Sequence, residues 1–261
     1  MSSSTTAPVL INQRGAVRVI TLNRPEKLNA FSNELLDQLE IAVSEACEDN
    51  ATKAIVLAGA GGKAFSAGND ISRLAGLDAM QAHADMARGQ RLMLRLHEAP
   101  KPTIAMVGGY ALGGGFELAL ACNFIVASSK AVFGFPEIRL DTLPGWGGTQ
   151  LAVAKLGMAH AMEMVLSGQL YPMAQCEAWG LVSRVCAPDA LEDETLAFAS
   201  LFTNGHPFAV RMAKQAVLRA GELPLAAGMD FEAACYTANF GTPHALAGLE
   251  AFLQQGRKKT K

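Results

Sequence analysis

Residues 108–148 read GGYALGGGFELALACNFIVASSKAVFGFPEIRLDTLPGWGG, and the fold reading turns on them. Thr103 to Val107 (TIAMV) predicts a strand entering this stretch, and Gly113, Gly114 and Gly115 then open the apolar run Leu118-Ala119-Leu120-Ala121. A glycine triplet between a strand and such a run marks the first turn of a helix. Free N–H groups and the positive end of the helix dipole point outward there, a setting that favours an anion or a polarised carbonyl oxygen. Tight helix packing is the competing structural reading of the same glycines.

Two glutamates lie in apolar surroundings within the stretch. Glu117 follows Gly114 by three residues, so on a helix its carboxylate shares the face of the proposed donor. Burying it unpaired would cost several kcal/mol, or about that much expressed as a raised pKa. Glu137 follows Phe133-Gly134-Phe135-Pro136 and precedes the turn Pro144-Gly145-Trp146-Gly147-Gly148. An ion pair with Arg139, or a helix cap, would account for Glu137 without chemistry. Two such carboxylates beside an oxyanion-binding helix end suit general acid–base work.

Upstream, Ala16 to Leu22 (AVRVITL) predicts a strand that ends at Asn23-Arg24-Pro25, following a disordered Ser/Thr head. Ser32 caps a helix with Leu35, Leu36, Leu39, Val43 and Ala46 on one face. A buried strand at Ala54 to Leu57 leads through small residues into Phe65-Ser66-Ala67-Gly68-Asn69-Asp70-Ile71. Here the backbone can approach a ligand closely, and Asn69 is the candidate second N–H donor beside Gly114. Residues 79 to 97 predict a helix with Met80, Met86, Leu92, Met93 and Leu96 on a mixed face.

Beyond Gly148, helices are expected over Thr149 to Leu156, through Ala161 to Leu166 and over Ala174 to Trp179, with a last strand at Leu181 to Val185. Strands and helices alternate, which gives an α/β class. From about residue 189 the pattern is helical only: His206-Pro207 caps Phe208 to Ala220, and helices around Gly228 to Tyr236 and from Pro243 to Gln255 follow. The expected division is therefore a core over 1–188 and a helical region over 189–261.

Composition narrows the function classes. The chain has 261 residues, enough for a substantial core, and is 50% hydrophobic and 18% charged. Its net charge of -2 offers no global attraction to nucleic acid or to an anionic membrane. Arg257-Lys258-Lys259 and Lys261 form a basic tail that reads as a solvated terminus. The five cysteines lack zinc spacing and read as reduced core residues in a cytoplasmic protein. The five histidines show no metal spacing, and no signal peptide, transmembrane run, GxSxG, GxGxxG or P-loop pattern occurs.

On these residues the chain resembles the enoyl-CoA hydratase/isomerase (crotonase) superfamily from about Val17 to Phe252. The matching marks are Asn23-Arg24-Pro25 with Asn29-Ala30, the 65–70 loop, 109–115, Phe133 to Glu137, and Pro144 to Gly148. The resemblance implies a spiral of repeated ββα units with a helical C-terminal trimerisation region, as a homotrimer or homohexamer. It implies an acyl-CoA thioester as substrate, with coenzyme A arriving as part of it and no separate cofactor or metal. The thioester oxygen would accept from Asn69 and Gly114. The coenzyme A part would lie near Lys27, Leu28, Ala30, Ala67, Asp70 and Ile71, with Trp146 and Tyr236 among the substrate-contacting positions.

Since the fold hosts several reactions, the acidic positions discriminate among them. Both glutamates of the hydratase pattern are present, which implies addition of water to a trans-2-enoyl-CoA. Glu117 would hold the water with Glu137, and Glu137 would chiefly transfer the C2 proton. A 3-enoyl-CoA isomerase, another superfamily reaction on a specialised acyl-CoA, and a non-catalytic oligomeric binding protein are the alternatives. Dienoyl-CoA isomerases carry an aspartate where this chain has Gly145. Departures from the usual pattern are Gly108, Asn123, Asp141, Trp146 and Gln255; Asp141 and Trp146 are expected to reshape the acyl pocket.

Overall fold

The computed structural model describes residues 7–259, with side chains through residue 254. The expectations for the Ser/Thr head at 1–6 and for the Gln255 side chain fall outside the described residues. In chain order the elements are β1 (Val9–Arg14), β2 (Val17–Leu22), α1 (Asn33–Glu48), β3 (Ala54–Gly59), β4 (Ala64–Ser66), α2 (Ile71–Leu74), α3 (Ala79–His97), β5 (Thr103–Val107), β6 (Tyr110–Leu112) and α4 (Gly114–Ala121). There follow β7 (Phe124–Ser128), β8 (Val132–Gly134), α5 (Gly148–Ser167), β9 (Leu170–Pro172), α6 (Met173–Ala178), β10 (Arg184–Cys186), α7 (Leu191–Ser200), α8 (Pro207–Arg219), α9 (Leu225–Phe240) and α10 (Pro243–Lys259). Short 3-10 helices occupy Pro25–Lys27 and Pro136–Leu140.

Strands are dealt alternately to two sheets. β1-β2-β3-β5-β7-β10 form one sheet, antiparallel only between β1 and β2, while β4-β6-β8-β9 form a smaller one. Thus β3–β4, β5–β6 and β7–β8 each add one strand to either sheet before a helix returns the chain, which is the ββα spiral. α4 packs against strands of both sheets, and all eight of its residues are buried. Apart from Glu117 its residues are apolar or glycine, and a helix of that kind belongs in such a place.

The large sheet is covered on both faces. Ile55 and Leu57 enter the main core with α1, α3 and α4, whereas Ala54, Val56 and Ala58 face a second cluster with Leu191 and Ala199 of α7. That is why β3 reads as a continuous apolar run instead of an alternating one. The chain separates into two compact units, the first ending at Leu201 and the second beginning at Phe202.

Most expected long elements are present. Ser32 caps α1 by accepting from Leu35 N–H at 3.1 Å, and its five expected face residues are buried. On α3, Leu92, Met93 and Leu96 are buried, but Met80 is 76% exposed because it sits in the first turn, ahead of the packed face. The two helices expected after Gly148 are joined in α5 with a break at Gly157, whose φ of 77° no helix accommodates. The three-residue strands β4, β6, β8 and β9 are too short to show a period, and the six-residue edge strand β1 buries only Val9, so no apolar face marks it; the sequence reading missed all five.

One buried side chain holds the first loop of the site. Asn29 adopts φ 56° beside Leu28 at φ 51°. Its Nδ2 donates to Ala60 O at 3.0 Å and Ala64 O at 2.8 Å, and its Oδ1 accepts from Arg24 N–H at 3.0 Å. Asn29→Ala removes all three bonds and takes this donor from the buried Ala64 carbonyl and the half-buried Ala60 carbonyl, so stability in urea should fall by about 2–4 kcal/mol. A change under ~1 kcal/mol would mean that the loop does not depend on Asn29.

Candidate active site

Residues 24–31 and 60–71, distant from α4 in sequence, form one layer against its N-terminus. Ala67 N–H donates to Leu28 O at 2.9 Å, Phe31 N–H to Gly68 O at 2.8 Å, and Asp70 N–H to Phe31 O at 3.1 Å. Ser66 Oγ donates to Asn29 O at 2.8 Å and accepts from Gly68 N–H at 3.1 Å. The expected positions Lys27, Leu28, Ala30, Ala67, Asn69, Asp70 and Ile71 therefore share one edge, where Lys27 and Ile71 are exposed.

Phe31 and Asn69 form a parallel bridge in which the flanking residues of Asn69 carry the hydrogen bonds. This turns the Asn69 N–H the opposite way, and it donates to no acceptor among the described residues. Gly114 N–H, on the first residue of α4, is likewise without an acceptor there. Gly68 brings the two together: at φ 92°, a Cβ on it would stand 2.8 Å from Leu112 O and 3.0 Å from Gly114 N. Two undonated N–H groups at a helix start make an electropositive pocket for a carbonyl oxygen that gains charge.

Glu117 is 1% exposed. Its Oε1 accepts from Trp146 N–H and from Gly148 N–H, each at 2.7 Å, so the 144–148 turn is fastened to the carboxylate and Oε2 stays available. Burial drives its pKa up to about 7, with Glu137 adding to the rise and the two N–H bonds opposing it. Glu137 lies on the 3-10 turn after β8, and its Oε1 would be 2.6 Å from a Cβ on Gly113. Only glycine adopts the Gly113 backbone, φ 50° and ψ -126°, so this residue both starts α4 and admits Glu137. Glu137 Oε2 is buried with no hydrogen-bond partner among the described residues, and burial pushes its pKa up to about 7 as well. Neither the Arg139 ion pair nor a cap engages this side chain among the described residues.

Two supporting residues, Arg73 and Asp85, escaped the sequence reading. Arg73 donates to Asn69 Oδ1 at 2.9 Å and forms a buried ion pair with Asp85 of α3, while Arg24 pairs with Asp70 at 3.4 Å. Nothing in the sequence singles out Arg73 or Asp85; only packing shows that they meet as a shielded pair. Trp146 is wholly buried, and Asp141 is exposed at φ 55° after the 3-10 turn. Tyr236 lies on α9 of the second unit, 66% exposed and stacked on Phe240 at 5.7 Å. Asn123 Oδ1 accepts from Thr103 N–H at 2.9 Å, a bond between the starts of β5 and β7.

Residues 12–260 match the family model described as enoyl-CoA hydratase/isomerase. The chain belongs to this family. It is 43% identical over 254 residues to a probable enoyl-CoA hydratase of Rhizobium meliloti, covering 97% of both chains. It is 33% identical to the short-chain-enoyl-CoA hydratase of Clostridium acetobutylicum over 95% of both. Among solved structures it is similar to enoyl-CoA hydratase from Bacillus anthracis, with a TM-score of 0.91 at 32% identity, covering 95% of this chain and 96% of that one. The crotonase fold implied by the sequence is the fold observed.

The raised pKa of Glu117 has a consequence for stability. An acid whose pKa rises from 4.5 to about 7 on folding binds more protons folded than unfolded between those values, so its stabilising contribution is complete below 4.5 and lost as pH climbs through 7. Glu117→Gln keeps an oxygen for Trp146 and Gly148 N–H without the charge. Its melting temperature should match the wild type near pH 5 and exceed it by several degrees at pH 8. A constant difference across that range would show that Glu117 does not carry the proton.

Proposed function

We propose that this chain is an enoyl-CoA hydratase, adding water across the double bond of a trans-2-enoyl-CoA to give a 3-hydroxyacyl-CoA. The observation that carries the reading is the pair of buried carboxylates, both with pKa raised to about 7, beside two undonated backbone N–H groups. The names of the relatives support the same reaction. In this scheme the thioester oxygen sits on the Asn69 and Gly114 N–H groups. Glu117, oriented by Trp146 and Gly148, takes a proton from the water as its oxygen bonds to C3. The π electrons move toward the thioester oxygen, and the resulting enolate is stabilised by the two donors. The proton on Glu137 then goes to C2.

Near neutral pH such a pair holds one proton between its members, which is what a base and an acid in the same step require. Lys27, Leu28, Ala30, Ala67, Asp70 and Ile71 are proposed to receive coenzyme A, which enters as part of the substrate. The helical region from residue 189 is proposed as the oligomerisation region of a homotrimer or homohexamer, and Tyr236 is proposed as a substrate-contacting residue. Exposed Leu225, Met229, Leu246, Leu249 and Phe252 support the oligomer. The fold contains no described helix long and apolar enough to cross a membrane, and a cytoplasmic enzyme is the accompanying proposal.

The test is loss of the conjugated-thioester absorbance of crotonyl-CoA and longer or branched enoyl-CoAs, with product identification. Glu117→Gln and Glu137→Gln should each lower kcat by roughly 10²-fold or more while retaining CoA-ligand affinity. Conversion of a 3-enoyl-CoA to its 2-enoyl isomer with no hydroxyacyl product would replace hydratase by isomerase.

A further inference from the structure

Trp146 is the largest fully buried side chain of the molecule. Its backbone N–H lies on Glu117, so the indole begins beside the reacting carboxylate. The Cε3 and Cζ3 edge is 3.4 Å from the Cβ position of Gly114, next to the thioester donors. The opposite edge, Cδ1 and Nε1, fills the space of a missing side chain on α3, 2.2 Å from where a Cβ on Gly89 would stand. Phe31 packs at a ring-centroid distance of 5.2 Å. The indole therefore bridges the start of α4 and helix α3. Its Nε1–H is buried without an acceptor among the described residues, so at this place the residue contributes bulk and not a hydrogen bond.

Trp146 also lines a cleft of about 300 Å³ whose other walls include Met93, Leu94, Gln150 and Leu151, but neither Glu117 nor Gly114. An acyl chain leaving the reacting carbons beside Glu117 meets the indole before it can reach that apolar space. Along α3, Met86 packs against Gly145 one turn before Gly89, so the helix offers no detour around the ring.

Resting on the hydratase reading, we infer that Trp146 is the specificity-determining wall of the acyl site. It restricts turnover to short 2-enoyl groups by closing the passage into the Met93–Leu151 cleft. Removing the indole joins the cleft to the site and admits longer chains, each added methylene gaining apolar contact.

The experiment measures kcat/KM for crotonyl-, trans-2-hexenoyl-, trans-2-octenoyl- and trans-2-decenoyl-CoA. The wild type should fall at least about tenfold from hexenoyl to decenoyl. Trp146→Ala and the less drastic Trp146→Leu should raise the decenoyl-to-crotonyl ratio by at least about tenfold. Adding Leu94→Trp to Trp146→Ala refills the cleft and should return the ratio toward the wild-type value. A wild type that hydrates decenoyl-CoA as well as crotonyl-CoA overturns the inference even if neither variant folds, as does an unchanged ratio in folded variants. A flat profile with hydration intact removes the wall alone, whereas no hydration at any chain length removes the reaction as well.

Discussion

A single buried carboxylate oxygen, Glu117 Oε1, joins the parts of the proposed site. It sits on a helix with no exposed face and accepts the N–H groups of Trp146 and Gly148. Burial alone would favour the neutral acid, while the two donors favour the anion, and the outcome is a pKa near neutrality. The same bonds hold the 144–148 turn, start α5 and set the indole between α3 and α4. Loss of that oxygen would therefore disturb acid–base balance, loop position and pocket shape together.

The proposed oxyanion side is built on the opposite principle, by leaving two backbone N–H groups without an acceptor among the described residues. A parallel bridge uses the neighbours of Asn69 and frees its own N–H; the start of α4 frees that of Gly114. Asn29, Ser66 and the Arg73–Asp85 pair then fix the loop, so that in the proposed reaction the donors need not reorganise when charge develops. The alternating spiral makes this possible, because each turn delivers loops from both sheets to the same end of α4.

How much of this was legible in the sequence depended on how local the signal was. α1, α3 and β5 were readable from caps and apolar spacing, since every residue of the pattern sits in one continuous segment. β4, β6 and β8 were not, because three residues cannot display a period. Glu117 and Glu137 stood out as charges in apolar surroundings. Arg73 and Asp85 did not, because twelve positions separate them and nothing local to either marks it as one half of a pair.

By itself the sequence determined the α/β class, the glycine-opened helix, the two carboxylates and, through ordered motifs, the family. These follow from chemistry carried within short segments. Only the tertiary structure decided that Asn69 shares a pocket with Gly114, that Glu117 is held through Trp146 and Gly148, and that the indole fills the space Gly89 leaves open. Each of those depends on close approach between segments tens of residues apart, a distance that composition and periodicity do not encode.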